Sequence, residues 1–172
     1  MAGIRRQKKV FLRPAKPFET ERIQEENKVK EKYGLKSKRE IWKAEAQVRR
    51  LRGIAKRLIT ASAEKQEEFL NKLMAKGFLK SASKIDNVLD MKKEDYLERR
   101  LQTVVLRKSF AKSAKHARQL VTHRYIKIGD RIVNIPSYSV NLNEEKTIKL
   151  IPLKPKAEPK AVLEVKENAE GN

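Results

Sequence analysis

Hydrophobic positions follow a helical period along most of this chain and turn to a strand period only near its end. From Ile41, the apolar residues Ala44, Val48, Leu51, Ala55 and Leu58 recur at three- and four-residue steps, one stripe along one helix. Ser37-Lys38-Arg39-Glu40 just ahead reads as a capping box, in which serine and glutamate each bond the other's backbone amide. A more polar helix precedes it from Glu19 to Tyr33, with Gly34 as its stop. Ser62 opens a third helix through Phe69, Leu70, Leu73 and Met74, ended by Gly77. Phe78 to Leu89 reads as a short helix or turn. Asp90 to Lys108 reads as one amphipathic helix, with Tyr96, Leu97, Leu101, Val104 and Val105 inward and Arg99 and Arg100 outward. Ser113 is a good cap for a helix from Ala114 to Val121.

The period then changes. Tyr125-Ile126-Lys127-Ile128 and Arg131-Ile132-Val133 alternate on either side of Gly129-Asp130, which predicts a hairpin with a two-residue primed turn. Thr147 to Ile151 alternates again and predicts a third strand, ended by Pro152. The expected fold class is therefore α+β. A helical subdomain (19–94) precedes a small module of helices and a hairpin (95–153). A basic arm (1–18) and a charged tail (154–172) flank them, and both are expected to be flexible for want of apolar periodicity.

Charge sharpens the picture. The chain has 172 residues and a formal net charge of +20, from 42 Lys+Arg against 22 Asp+Glu. A surplus of this size points to a polyanionic partner. It is also segregated: residues 1–60 carry +12, residues 61–98 carry −1, residues 99–153 carry +9 and the tail is neutral. Two separate contact surfaces for one polyanion produce such a pattern. On the striped helix Lys43, Arg49, Arg50, Arg52, Lys56 and Arg57 face only Glu40 and Glu45. Phosphate contact explains that imbalance better than a solvated face. Around the helix opened by Ser113 stand Lys112, Lys115, His116, Arg118 and Gln119, with Lys127 on the hairpin. Free amides at a helix start, with cations beside them, form an anion site. Trp42 reads as a packing residue.

Chemistry is harder to find. The chain contains no cysteine, which excludes disulfides, zinc ribbons and thiolate catalysis and fits a reducing cytoplasm. No uninterrupted apolar run exceeds three residues, so neither a membrane span nor a signal-peptide core is expected. The glycines stand at least 19 residues apart, so no phosphate loop or dinucleotide fingerprint can be drawn. His116 and His123 are seven apart, the wrong step for a helical metal pair. No catalytic residue, metal site, cofactor or small-molecule substrate is expected. An RNA-modifying enzyme would need a further catalytic domain. A DNA-binding helix-turn-helix regulator or an accessory RNA-binding factor stays as the alternative, and the first leaves the +12 block unexplained.

At Arg100-Leu101, Ser113 with His116, Ala117-Arg118-Gln119-Leu120-Val121, Ile126-Lys127-Ile128-Gly129-Asp130 and Pro136-Ser137-Tyr138, the segment from about Asp95 to Ile151 resembles the RNA-binding module of the small-subunit ribosomal protein S-four family. Lys32-Tyr33-Gly34-Leu35, Lys38-Arg39-Glu40-Ile41-Trp42 and Glu98-Arg99-Arg100-Leu101-Gln102-Thr103 resemble its archaeal and eukaryotic branch, and the likeness covers about residues 17–153. The resemblance implies primary binding to the 5′ domain of small-subunit ribosomal RNA, a role in assembly and decoding accuracy, a cytoplasmic place in the small subunit, and contact with ribosomal protein S-five. It carries RNA contact onto Arg99, Arg100, Lys112, Ser113, Arg118, Gln119, His123 and Arg124. Two departures stand out. The zinc-holding cysteines of some bacterial members are absent, and Arg107-Lys108-Ser109-Phe110 stands where a glycine is usual before the module's second helix.

Overall fold

A computed structural model describes residues 10–79 and 84–151. In chain order these form α1 (Thr20–Lys32), α2 (Lys38–Leu58), α3 (Ala63–Ala75), α4 (Ile85–Leu89), α5 (Lys93–Glu98), α6 (Leu101–Arg107), α7 (Ala114–Thr122), β1 (Ile126–Ile128), β2 (Arg131–Ile132), α8 (Leu142–Thr147) and β3 (Ile148–Leu150). The class is α+β, as expected. The outer arm (1–9) and the tail lie outside the described residues.

The stripe on α2 becomes its inner face. Ile41, Ala44, Val48 and Ala55 are buried, and Leu51 and Leu58 pack partly buried beside them. Its lower part meets Leu73, Val88 and Met91 in one core. Its upper part, Ile41 and Ala44, joins Tyr33, Leu35 and Leu97 in a second. A third core fills the module, where Leu101, Val104 and Val105 of α6 meet Leu120 and Val121 of α7, Ile126 and Val140. The second core thus lies where the helical half meets the module.

The turn after α1 closes this seam. The Leu35 N–H donates to the Lys30 carbonyl at 2.9 Å while Gly34 takes φ +58°. A β-carbon on Gly34 would come within 2.8 Å of the Ala114 backbone, so close approach as well as handedness requires glycine.

The hairpin forms as the alternation predicts. Lys127 pairs with Ile132 and Ile128 with Arg131, antiparallel around Gly129-Asp130. β3 pairs antiparallel with the other edge of β1, giving the order β2-β1-β3. One expectation fails, and one element is new. The single helix over 90–108 breaks at Arg99-Arg100, because the backbone there bonds elsewhere. The Leu101 N–H donates to the Tyr138 carbonyl at 2.8 Å, and the Val140 N–H to the Arg99 carbonyl at 2.9 Å. α8 was not anticipated; the Glu144 side chain accepts from the Asn141 N–H at 3.0 Å and opens it.

Candidate nucleic-acid interface

The basic residues singled out in the sequence fall into two groups. On α2, Arg49, Arg50, Lys56 and Arg57 are exposed. Arg49 lies 3.5 Å from Glu45, but both side chains are more than half exposed, so water screens the pair and leaves the arginine available. Arg52 is different. It is half-buried and donates to the Met91 carbonyl, tying α2 to the turn before α5. Trp42 packs as expected: its indole N–H donates to Glu26 at 2.9 Å and its ring lies 6.0 Å from that of Phe11. Val10 to Leu12 therefore lie beside α2 with Phe11 against Trp42, while the Lys16 and Pro17 carbonyls accept from Arg22 of α1.

Around α7 the expected cap is present. The Ser113 hydroxyl accepts the His116 N–H at 3.2 Å, and His116 Nδ1 accepts the Lys112 N–H at 3.3 Å. Lys112, Ser113, Lys115 and Gln119 stand exposed beside this helix start. His123 and Arg124 are exposed at the other end. Arg124 adopts φ +65° as the chain leaves α7, with the Tyr125 N–H closing onto the Leu120 carbonyl at 3.0 Å. A left-handed arginine costs about 1 kcal/mol or more against glycine. Lys127, half-buried on β1, sits 3.5 Å from Asp130 in the turn.

Arg99 and Arg100 do not point outward. They are 6% and 4% exposed, and their charges are spent inside the protein. Arg99 donates to the Lys76 and Val140 carbonyls at 3.1 and 2.9 Å and pairs with Glu145 at 2.7 Å. Arg100 pairs with Glu40. The break in the helix turns both side chains inward, where an unbroken helix would have left them on its outer face.

Glu40 is the centre of this junction. One carboxylate oxygen forms an ion pair with Arg118 at 3.0 Å and accepts the Lys36 N–H at 3.2 Å; the other accepts from Arg100 and from Arg118 at 3.3 Å. Ser37 does sit at the cap position, but the capping box does not form: the Glu40 N–H donates to the Ser37 carbonyl at 3.1 Å, and the Glu40 carboxylate takes the Lys36 N–H in place of that of Ser37. Burial alone would raise the Glu40 carboxyl. The hydrogen bonds and charges of Arg118 and Arg100 outweigh it and hold the group below the ordinary carboxylate range. Arg118 therefore serves the junction first, with its side chain still 25% exposed.

Gln102 completes the lock and was missed in the sequence. It is 2% exposed, and its amide donates to the carbonyls of Tyr33, Gly34 and Ala114 at 2.9, 3.1 and 2.9 Å. The one available signal was a glutamine within the apolar run Leu101 to Leu106. Among the described residues no group of three or more His, Asp or Glu side chains could hold a metal. No described helix is long and apolar enough to cross a membrane.

Comparison with known proteins adds to this geometry. Residues 99–146 match the S4 domain family. The small ribosomal subunit protein uS4 of Korarchaeum cryptofilum is 40% identical over 154 residues, covering 88% of this chain and 93% of its own. That of Methanothermobacter thermautotrophicus is 40% identical over 159 residues, with 90% and 93% covered. That of Ignicoccus hospitalis is 43% identical over 159 residues, with 90% and 96% covered.

Proposed function

This chain belongs to the uS4 family of small ribosomal subunit proteins, and from that premise we propose how its surface serves the family's role. It is a structural component of the small ribosomal subunit that binds ribosomal RNA. The finer reading is a two-surface clamp on the 5′ domain of that RNA. Exposed Arg49, Arg50, Lys56 and Arg57 of the helical half (19–94) hold one segment. Lys112, Ser113, Lys115, His116, Gln119, His123, Arg124 and Lys127 of the module (95–153) hold another. Arginines fork onto phosphates and lysines act as point charges, and released counterions supply much of the affinity. Contact with ribosomal protein S-five and an influence on decoding accuracy belong to the same proposal.

One observation carries the clamp. The two exposed basic surfaces lie on elements that the Glu40–Arg100–Arg118 ion pairs and the Gln102 bonds fasten together, so their spacing is fixed. A fixed spacing lets a protein set the geometry of an RNA junction.

The test is salt-titrated binding to a 5′-domain transcript, to unrelated structured RNA and to duplex DNA of equal length. Arg49, Arg50 and Arg124 are changed to Gln together; Arg118 is left intact because it holds the junction. The parent should prefer the ribosomal transcript through moderate salt. The triple variant should bind more weakly, with its salt dependence flattened by about two to three phosphate contacts. An unchanged slope would refute the clamp.

A further inference from the structure

A groove of about 240 Å³ opens at the seam between the two halves, with Glu40, Arg100 and Arg118 lining it. Lys43 and Gln47 of α2 line it too, as do Pro136 and Ser137 from the loop before α8. Tyr96 contributes an aromatic ring, stacked on Phe78 at 5.6 Å with the planes 10° apart and so fixed in place.

The charge of this groove is not balanced. Both oxygens of Glu40 are already engaged, and one carboxylate faces two guanidiniums. Glu40 is the sole carboxylate among the described lining residues, so Arg118 keeps donors to spare and exposed Lys43 adds a further cation. An anion is the natural occupant. The volume lies below the ~300–1,000 Å³ of pockets that enclose a free ligand. It suits one unit of a chain held from outside. Polar side chains at Gln47 and Ser137 beside an apolar wall of Pro136 and Tyr96 fit the edge and the face of a nucleobase. Unstacked nucleotides are the ones RNA-binding proteins read in this way.

We propose that this groove receives a single turned-out nucleotide of the bound ribosomal RNA, its phosphate between Lys43 and Arg118 and its base against Pro136 and Tyr96. The inference rests on the RNA-binding role and adds to it a specific place and a mode. It makes Lys43 and Gln47 RNA contacts and gives Arg118 a second task beyond the junction.

The test uses the full chain with the 5′-domain transcript. Ser137→Trp fills the mouth of the groove at an exposed position and removes no charge. It should weaken binding about tenfold or more with the salt slope unchanged, since the phosphate-binding cations remain. Lys43→Gln should weaken binding several-fold and make the slope shallower by about one contact. Ultraviolet cross-linking with mass spectrometry should find nucleotide adducts on the peptides carrying Tyr96 or Pro136-Ser137, and Ser137→Trp should abolish them. Parent-like affinity for Ser137→Trp, with no adduct on those peptides while the parent still prefers the transcript, overturns the groove and leaves the clamp standing. Loss of that preference in the parent overturns both. Adenosine monophosphate saturating the groove at micromolar concentration overturns the strand in favour of a free nucleotide.

Discussion

Replacing Glu40 with glutamine preserves the size of the side chain and removes the charge that two arginines share. The Arg100 side chain is 5% exposed, Glu40 17% and Arg118 25%. Removing one partner of a buried ion pair costs about 3–5 kcal/mol, because the other charge stays buried without compensation. Water reaches Arg118 and part of Glu40, which places Glu40→Gln at the lower end, about 3 kcal/mol. For a protein of this size that loss lowers the melting temperature by roughly 6–12 °C. The folded state should survive at 25 °C, since domains of this kind hold about 5–15 kcal/mol. Urea and thermal melts followed by circular dichroism read the change directly. The urea midpoint should fall with the slope unchanged. The acid limb gives a second check. A carboxyl held below its ordinary value stabilises the fold at pH above that ordinary value, and the contribution fades as pH falls through the lowered one. Glu40→Gln should therefore lose stability at neutral pH and show a shallower decline below about pH 4.5. A variant that melts within about 1 °C of the parent at neutral pH would refute the claim that this carboxylate holds the halves together.

Three further outcomes are expected. Ser109 stands at φ +60° where α6 ends, so Ser109→Gly should stabilise the protein by about 0.5–1 kcal/mol, read as a raised urea midpoint with RNA affinity unaltered. Arg124→Gly should separate stability from binding: melting temperature equal to or above the parent's, RNA affinity several-fold lower and a salt slope shallower by about one contact. Gln102→Leu removes the two N–H donors shared among the carbonyls of Tyr33, Gly34 and Ala114, the first two in buried bonds, and should cost about 2–4 kcal/mol; a melt within about 0.5 kcal/mol of the parent would show that water replaces the amide there.

What the sequence made legible was local. The α2 stripe, the glycine stop at Gly34, the Ser113 cap and the Gly129-Asp130 hairpin each declare themselves within a few residues, and the structure contains all of them. The departures come from partners far along the chain. Glu40 looks like a cap residue until Arg100 and Arg118, 60 and 78 positions away, claim its oxygens. The helix over 90–108 looks continuous until the backbone of 138–140 bonds to Arg99 and Leu101. The family resemblance carries RNA contact onto Arg99 and Arg100, while burial and pairing with Glu145 and Glu40 spend their charge inside the fold. Ser109 shows the opposite case. The resemblance marks Arg107-Lys108-Ser109-Phe110 as a stretch without its usual glycine, and the structure narrows this to Ser109, whose positive φ suits one. The exposed cations of α2 and α7 are legible as types, because few carboxylates lie near them in sequence and the Glu45–Arg49 pair is exposed.

The Glu40–Arg100 pair also orders events during synthesis. The two residues are separated by 60 positions. At ~5–20 residues per second, Glu40 leaves the exit tunnel roughly 3–12 s before the arginine that neutralises it. Through that interval a carboxylate must stay in water at the top of α2, beside Ile41 and Ala44, which the finished protein buries. The lower core formed with α3 and α4 has no such requirement, and the last of its buried residues is Met91, with Tyr96 packing against it shortly after. The bonds that fasten the halves involve nothing beyond Arg118, so the latch can close only once that residue has emerged, after every buried residue of the lower core.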